Sequence, residues 1–391
     1  MRVLVTAAAV STACVLPAFL IGGTAVQLGD DLGLSESGTG LAVGAFFAAA
    51  ALGSAWLGRW AERLGPAVSL RAAAGLTAVC QLAIAGLARS VPALLVLLAV
   101  AGSANALAQP AANLLLVRDI PAHRQGLAFA VKQAAIPLAT LLAGLAVPTV
   151  VLPAGWRWAF VGSAALAVLA MASVPRVLAS ARRTSGPTDR SGDMPLAVMV
   201  WLASGIGLGA ASAGTLGAFF VSAGVDAGLT EGTAGLVLAG GSALGIATRL
   251  AAGVRADRRD GGHLRVVAMM LGCGAIVYCL LATETAWVFM LAGPLAFATG
   301  WAWPGLFNLA VVRVNPGAPA AATGITQTGT YLGAVLGPVL FGVAAEHLSF
   351  RAAWLGAAAM ALVAGATILE ARRRVRVWRD AGTGGARRSP R

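Results

Sequence analysis

Long apolar runs, each ended by a short polar stretch, follow one another along the whole chain. They fall at about 4–27, 39–58, 68–88, 92–116, 125–150 and 158–175, and again at about 195–222, 233–253, 264–283, 286–312, 320–345 and 352–370. None shows the apolar–polar alternation of a barrel strand. Each run is close to the ~20 residues that carry a helix across ~30 Å of hydrocarbon. A chain in lipid must satisfy its own backbone, which leaves helices as the reading. The pattern predicts an all-α membrane protein of twelve transmembrane helices. Residues 1–175 form one six-helix half, 176–194 a linker rich in Arg, Ser, Gly and Pro, 195–370 a second half, and 371–391 a basic tail expected to be disordered at its end.

The two halves repeat each other at the level of residues. Asp31-Leu-Gly-Leu-Ser-Glu36 with Gly40-Leu41 returns as Asp226-Ala-Gly-Leu-Thr-Glu231 with Gly235-Leu236, 195 positions later. Gly58, Ala61, Glu62 and Arg63 meet Gly253, Ala256, Asp257 and Arg258, and Asn113-Leu114 meets Asn308-Leu309. After a slip of one residue, Gln133 matches Gln327 and Trp156-Arg157 matches Phe350-Arg351. A period of half the chain marks a duplicated bundle. In membrane proteins such duplication goes with a solute site between the halves.

Composition narrows the class. At 58% hydrophobic and 11% charged residues, with mean hydropathy +0.82, too little polar surface exists to cover a soluble core. The net charge of +13 is a topology signal and not a nucleic-acid footprint. Arginines collect in alternate loops, around Arg59–Arg71, Arg118–Arg124, Arg176–Arg190, Arg249–Arg265 and Arg313, and in the tail. The intervening loops hold Asp30, Asp31, Glu36, Asp226, Glu231, Glu284 and Glu346, and Arg89, Arg157 and Arg351 depart from the rule. The positive-inside bias places both termini in the cytoplasm of a cell (plasma or inner) membrane protein. Cys14, Cys80, Cys273 and Cys279 lie in apolar runs without metal-ligand spacing and read as small buried hydrophobes.

The segment Gly58-Arg-Trp-Ala-Glu-Arg-Leu-Gly65, in a chain of two six-helix halves, resembles the signature between helices 2 and 3 of the major facilitator superfamily. There Glu62 stands for the usual Asp, and Pro66-Ala67 replaces a basic pair. The second copy, Gly253-Val-Arg-Ala-Asp257-Arg258, keeps the acid and the arginine and adds a residue before Gly261. The resemblance covers the chain and implies a secondary carrier working by alternating access. Lys132-Gln133 and Gly300-Trp-Ala-Trp-Pro-Gly305 also resemble cyanate-permease-like members. Two patterns of drug–proton antiporters are absent: Leu98 stands where an arginine would precede Gly102, and Gly144-Leu145 where a Gly-Pro step would lie. A similar step, Gly337-Pro338, falls in helix 11 instead.

Candidate chemistry is sparse and therefore informative. Lys132 is the only lysine, eight residues past Arg124, so about 12 Å into the slab at 1.5 Å per residue. A cation at that depth costs a few kcal/mol and faces a cavity or a partner, as a substrate-anion or proton-coupling site, or else snorkels to the headgroups or caps carbonyls of a neighbouring helix. Arg249 lies one turn before Gly253, nearer the rim. The family arrangement, with helices 5 and 8 adjacent, implies that the two cations share a cavity. All fifteen carboxylates fall in loops, at helix ends, or in the linker and tail, which favours an anionic or polar neutral solute. Asn105, Gln109 and Asn113 recur every four residues and share a face of helix 4. Gln133, Asn308, Gln327, Tyr331, Trp301 and Trp303 are further lining candidates. Glu62–Arg63 and Asp257–Arg258, with Gly58 and Gly253, are the candidate gate: an acid at a helix-end junction accepts bonds from a neighbouring helix start or an arginine.

Other classes fit less well. His123, His263 and His347 form no metal motif, no nucleophile elbow is present, and Gly205, Gly207 and Gly209 follow no strand. The expectation is a carrier, not an enzyme, without a cofactor or metal, acting as a monomer. Its partners are a small-molecule substrate, membrane lipid and a coupled ion such as a proton. A drug or antibiotic exporter of the same fold, a membrane-embedded enzyme and a non-transporting receptor are the alternatives.

Overall fold

The computed structural model describes residues 2–121, 125–175, 194–257, 261–315 and 319–386. The described residues include twelve helices long and apolar enough to cross a membrane. In the first half these are α1 (Arg2–Gly23), α2 (Glu36–Leu64), α3 (Pro66–Leu87), α4 (Val91–Asp119), α5 (Val131–Ala154) and α6 (Trp156–Ser173). The second half contributes α7 (Leu196–Asp226), α8 (Glu231–Asp257), α9 (His263–Leu281), α10 (Ala286–Val314), α11 (Pro319–His347) and α12 (Phe350–Ala386). No strand occurs among the described residues. The linker predicted at 176–194 lies outside them except for Met194. The last helix continues through Arg372–Arg376 to Ala386, past the tail boundary expected at 370, and Glu370 there pairs with Arg373 and Arg374.

The repeated hexapeptide is a helix stop followed by a helix start. Gly33 takes φ +68°, its N–H donates to the Gly29 carbonyl, and the Leu34 N–H reaches back to Leu28. This closure needs the left-handed conformation that glycine adopts freely. Ser35 then caps α2 by accepting from the Gly38 N–H at 3.2 Å, ahead of Glu36 in the first turn. In the second copy Gly228 takes φ +94° and the Leu229 N–H reaches Gly224. Thr230 repeats the cap, accepting from the Thr233 N–H at 3.2 Å. The duplication has preserved a device that turns the chain at the membrane face.

Large apolar side chains point outward. Leu52, Leu87, Leu169, Leu291 and Leu362 are exposed along the bundle, a pattern for a hydrocarbon solvent. Exposed tryptophans stand near both ends, Trp56 and Trp60 at the end bearing the termini, Trp158 and Trp287 at the opposite end, where an indole bridges acyl and headgroup layers. Of the four cysteines, Cys14 and Cys80 are buried as expected, whereas Cys273 and Cys279 face outward. They lie on the lipid-facing side of α9, where a thiol behaves as a small apolar group.

Within the halves α2 packs on α4 and α7 on α11; between them α2 packs on α11, α5 on α8 and α1 on α7.

Candidate functional site

Two helices are broken near the middle of the bundle, and proline is the reason in each. In α5 the helix pauses at Ala134, between Gln125–Gln133 and Ala135–Ala146. Residue 137 is proline, so the Gln133 carbonyl has no N–H four residues ahead to receive. In α10 the helix stops at Gly300 and resumes at Pro304. Pro304 frees the Gly300 carbonyl, which accepts from the Trp303 indole at 2.7 Å. Trp301 and Ala302 between the two pieces stand outside the ladder, which resumes where the Trp303 carbonyl accepts from the Phe307 N–H at 3.1 Å, and the Trp301 carbonyl faces α8.

Arg249 fills this vacancy in bonding. Its Nη2 donates to the Trp301 carbonyl at 2.6 Å and its Nη1 to the Gln133 carbonyl at 3.2 Å. One half-buried guanidinium on α8 therefore joins the break in α10 to the break in α5, across the boundary between halves. Unsatisfied carbonyls in lipid cost several kcal/mol each, so a planar fork with parallel donors is well matched to two of them. The Phe19 and Trp301 rings meet alongside, centroids 5.7 Å apart.

Lys132 precedes Gln133 directly. It is 5% exposed, and it makes no hydrogen bond or ion pair with a described residue. Asn105 is buried and accepts from Gln109 Nε2 at 3.0 Å, one turn apart on the shared face of α4. Asn113, the third of that row, is exposed; so is Gln327, while Asn308 and Tyr331 are half-buried. Trp303 departs from the lining role expected of it. At 1% exposure it is packed into the second half beside Gly209, its indole spent on the helix break.

The halves meet tightly at the end opposite the termini. Gly22 abuts the main chain of Gly217 and Ala218, and Gly40 that of Pro338. A Cβ on Gly144 would lie 2.6 Å from the Gly235 carbonyl, and one on Gly235 would lie 2.8 Å from that of Gly144. Hydrogen bonds cross the same seam: the Ser37 N–H donates to Glu346 at 2.8 Å, the Ser222 hydroxyl to Glu36 at 3.3 Å, and the Ser242 hydroxyl to Thr140 at 2.8 Å. At the other end Gly253 and Gly324 have open space where a Cβ would stand, and Gly58 meets only Pro110 of its own half. Among the described residues the bundle is sealed at the end opposite the termini, and the glycine contacts between the halves do not continue to the other, parted end.

The sequence pattern of the Major Facilitator Superfamily matches residues 7–200 and 202–391. The chain belongs to the major facilitator superfamily. Among solved structures, a D-xylose–proton symporter is similar at TM-score 0.77 and 17% identity, over 94% of this chain and 96% of that one. A bacterial homologue of the human lysosomal transporter Spinster, inward-facing and occupied, is similar at TM-score 0.74 and 16% identity, covering 95% and 96%. The inward-open xylose transporter XylE from E. coli is similar at TM-score 0.75 and 16% identity, covering 94% of each chain. No curated protein sequence matches. At these identities the structures speak for the fold. The superfamily membership makes this chain a multi-pass membrane transporter of small molecules, built for alternating access, and not an enzyme.

The superfamily signature sits at the parted end. Gly58 is half-buried near the end of α2, and Glu62 and Arg63 are exposed there, with no ion pair among the described residues. In the second copy Gly253 is half-buried, the side chain of Asp257 is not described, and Arg258 lies outside the described residues. Sequence reasoning missed the glycine seam and the Thr140–Ser242 bond. Its signal was present, since Gly40 and Gly235 are repeat mates. They appeared only as markers of the duplication.

Proposed function

We propose that this protein is a secondary carrier for a small anionic or polar neutral solute, which binds beside Lys132 at the broken centre of α5. The supporting observation is the pairing of a buried ammonium that has no partner among the described residues with span interiors that hold no carboxylate. A bare cation in that setting is costly and marks a solute or ion pathway. Gln133, Arg249, Asn105, Gln109, Asn113, Asn308, Gln327 and Tyr331 supply the remaining polar groups, exposed amides on spanning helices being tolerable where they face a wet cavity. The arginine bias of the loops favours cytoplasmic termini in a cell membrane. On that orientation the state described above is inward-open, and Gly58, Glu62, Arg63, Gly253, Asp257 and Arg258 form a cytoplasmic gate that is undone. A proton is the natural candidate for a coupled ion, and the protein acts as a monomer.

The test is uptake into proteoliposomes of purified protein, with small organic anions, neutral sugars and nucleosides, and amphipathic cationic drugs as three arms. Saturable flux of an anion or a neutral solute is expected. Transport confined to cationic drugs would overturn the reading in favour of drug efflux. Orientation is checked separately by impermeant thiol labelling of Leu348→Cys and Val377→Cys, which lie near opposite ends of the bundle. Labelling of both from outside intact cells would overturn cytoplasmic termini.

A further inference from the structure

We infer that Arg249 is a positioning residue, a clamp that holds the two helix breaks together and stabilises the state sealed at the end opposite the termini. It deepens the carrier reading and rests on it only for the existence of two alternating states.

The α5–α8 seam has three kinds of contact in succession. Glycine meets glycine at Gly144 and Gly235, hydroxyl meets hydroxyl at Thr140 and Ser242, and Arg249 reaches Gln133. Read from the sealed end inward, Arg249 is the last of these ties. Its acceptors are special in chemistry. A carbonyl inside a regular helix is already bonded and cannot hold a guanidinium well. Pro137 and the Trp301–Trp303 interruption free one on each side of the boundary. The clamp thus depends on two sequence features far from Arg249 itself. Because Nη1 holds the first half and Nη2 the second, the fork is occupied only while the halves keep this separation. A charged donor to a neutral acceptor outweighs an ordinary backbone bond, so its loss should tilt the balance between states without dismantling either half.

The experiment is a double electron–electron resonance measurement on the full chain in lipid nanodiscs, with Cys273 and Cys279 replaced by serine. Spin labels at Leu152→Cys and Leu348→Cys report the sealed end, and labels at Leu64→Cys and Val254→Cys the parted end. In Arg249→Ala the population open at the Leu152–Leu348 end should rise about tenfold, equivalent to about 1.4 kcal/mol. Pro137→Ala restores an N–H for the Gln133 carbonyl, withdraws that acceptor from Arg249, and should move the same distance in the same direction. Arg249→Lys, with charge but no fork, should fall between wild type and alanine. Unchanged distances in a folded Arg249→Ala protein would overturn the clamp. If that variant does not fold, unchanged distances in Pro137→Ala would do so. Movement in Arg249→Ala without movement in Pro137→Ala would overturn the cross-half tie to Gln133. No solute enters the measurement, so its result is independent of which solute, if any, the flux assay finds.

Discussion

Gly40 lies against the main chain of Pro338, with no room for a side chain between α2 and α11. Its repeat mate Gly235 lies against Gly144, which is the mate of Pro338 after the one-residue slip. The two contacts are therefore one contact made twice, once across each side of the boundary. Each lets two backbones approach as closely as small-residue packing in membranes allows.

Enlarging this seam should drive the protein out of the sealed state. Overpacking of a tight contact costs about 1–3 kcal/mol, enough to shift a two-state population roughly 5- to 150-fold. Gly235→Val or Gly40→Val should raise the reactivity of a cysteine placed at Leu152 toward a thiol reagent added on that side, and should slow net flux. Gly162→Val, at a position facing open space, should leave that reactivity unchanged. Equal reactivity in all three would mean the seam does not set the state.

Much of the architecture was legible because lipid leaves few options. Apolar runs of spanning length with punctuating Gly-Leu-Ser-Glu and Gly-Leu-Thr-Glu turns specify where helices begin and end. The spacing of Asn105 and Gln109 set them on one face of α4, where the structure adds a hydrogen bond between them. What the sequence concealed was partnership over long separations. Nothing local to Arg249 says that a proline at 137 and a break at Trp301 leave carbonyls for it. Trp303 was misread for the same reason: an indole beside a proline looks like a cavity wall, yet here it repairs the ladder that Pro304 interrupts.

Asp31 offers a test outside the spans. It accepts from the Trp156 indole and from Arg157, each at 2.8 Å, and both hold its carboxyl below the usual carboxylate range, the indole contributing most. A depressed value in the folded state means that the stabilisation is complete above the unfolded value of about 3.9 and is lost as pH falls through the folded one. Thermal melts of wild type and Asp31→Asn in detergent should differ by a constant amount near neutral pH and converge below about pH 4. The gap should be small, since both side chains of the pair are about half exposed and water screens them. A gap that widens on acidification would contradict the assignment.

The signature residues at the parted end should matter only when that end closes. Glu62 makes no ion pair among the described residues in the present state, so Glu62→Ala should leave its thermal stability within about 0.5 kcal/mol, as for a surface change. If the gate works as proposed, the same variant disfavours the alternate state. Net flux should then fall, while a cysteine at Leu64 becomes more accessible from the cytoplasmic side. Normal flux together with unaltered accessibility would reduce Glu62 and Arg63 to markers of topology.

Lys132 carries the strongest prediction about what is transported. Its ammonium is buried at a break in α5 with no described partner, so in the empty carrier its desolvation goes uncompensated. A solute oxyanion would supply the missing counter-charge, a bond of about 1.5–3 kcal/mol for a charged donor. Lys132→Ala and Lys132→Gln should therefore raise the KM for an anionic solute by roughly 10- to 150-fold. Both should insert normally and melt no lower than wild type, because removing an unpaired buried charge relieves a cost. Lys132→Arg keeps the charge but changes shape and hydration, and should retain part of the affinity. For a neutral solute the alanine variant should change KM little. These arms separate a binding lysine from one that snorkels. Unchanged KM for the anion in Lys132→Ala, with normal insertion, would show that the charge never meets the solute.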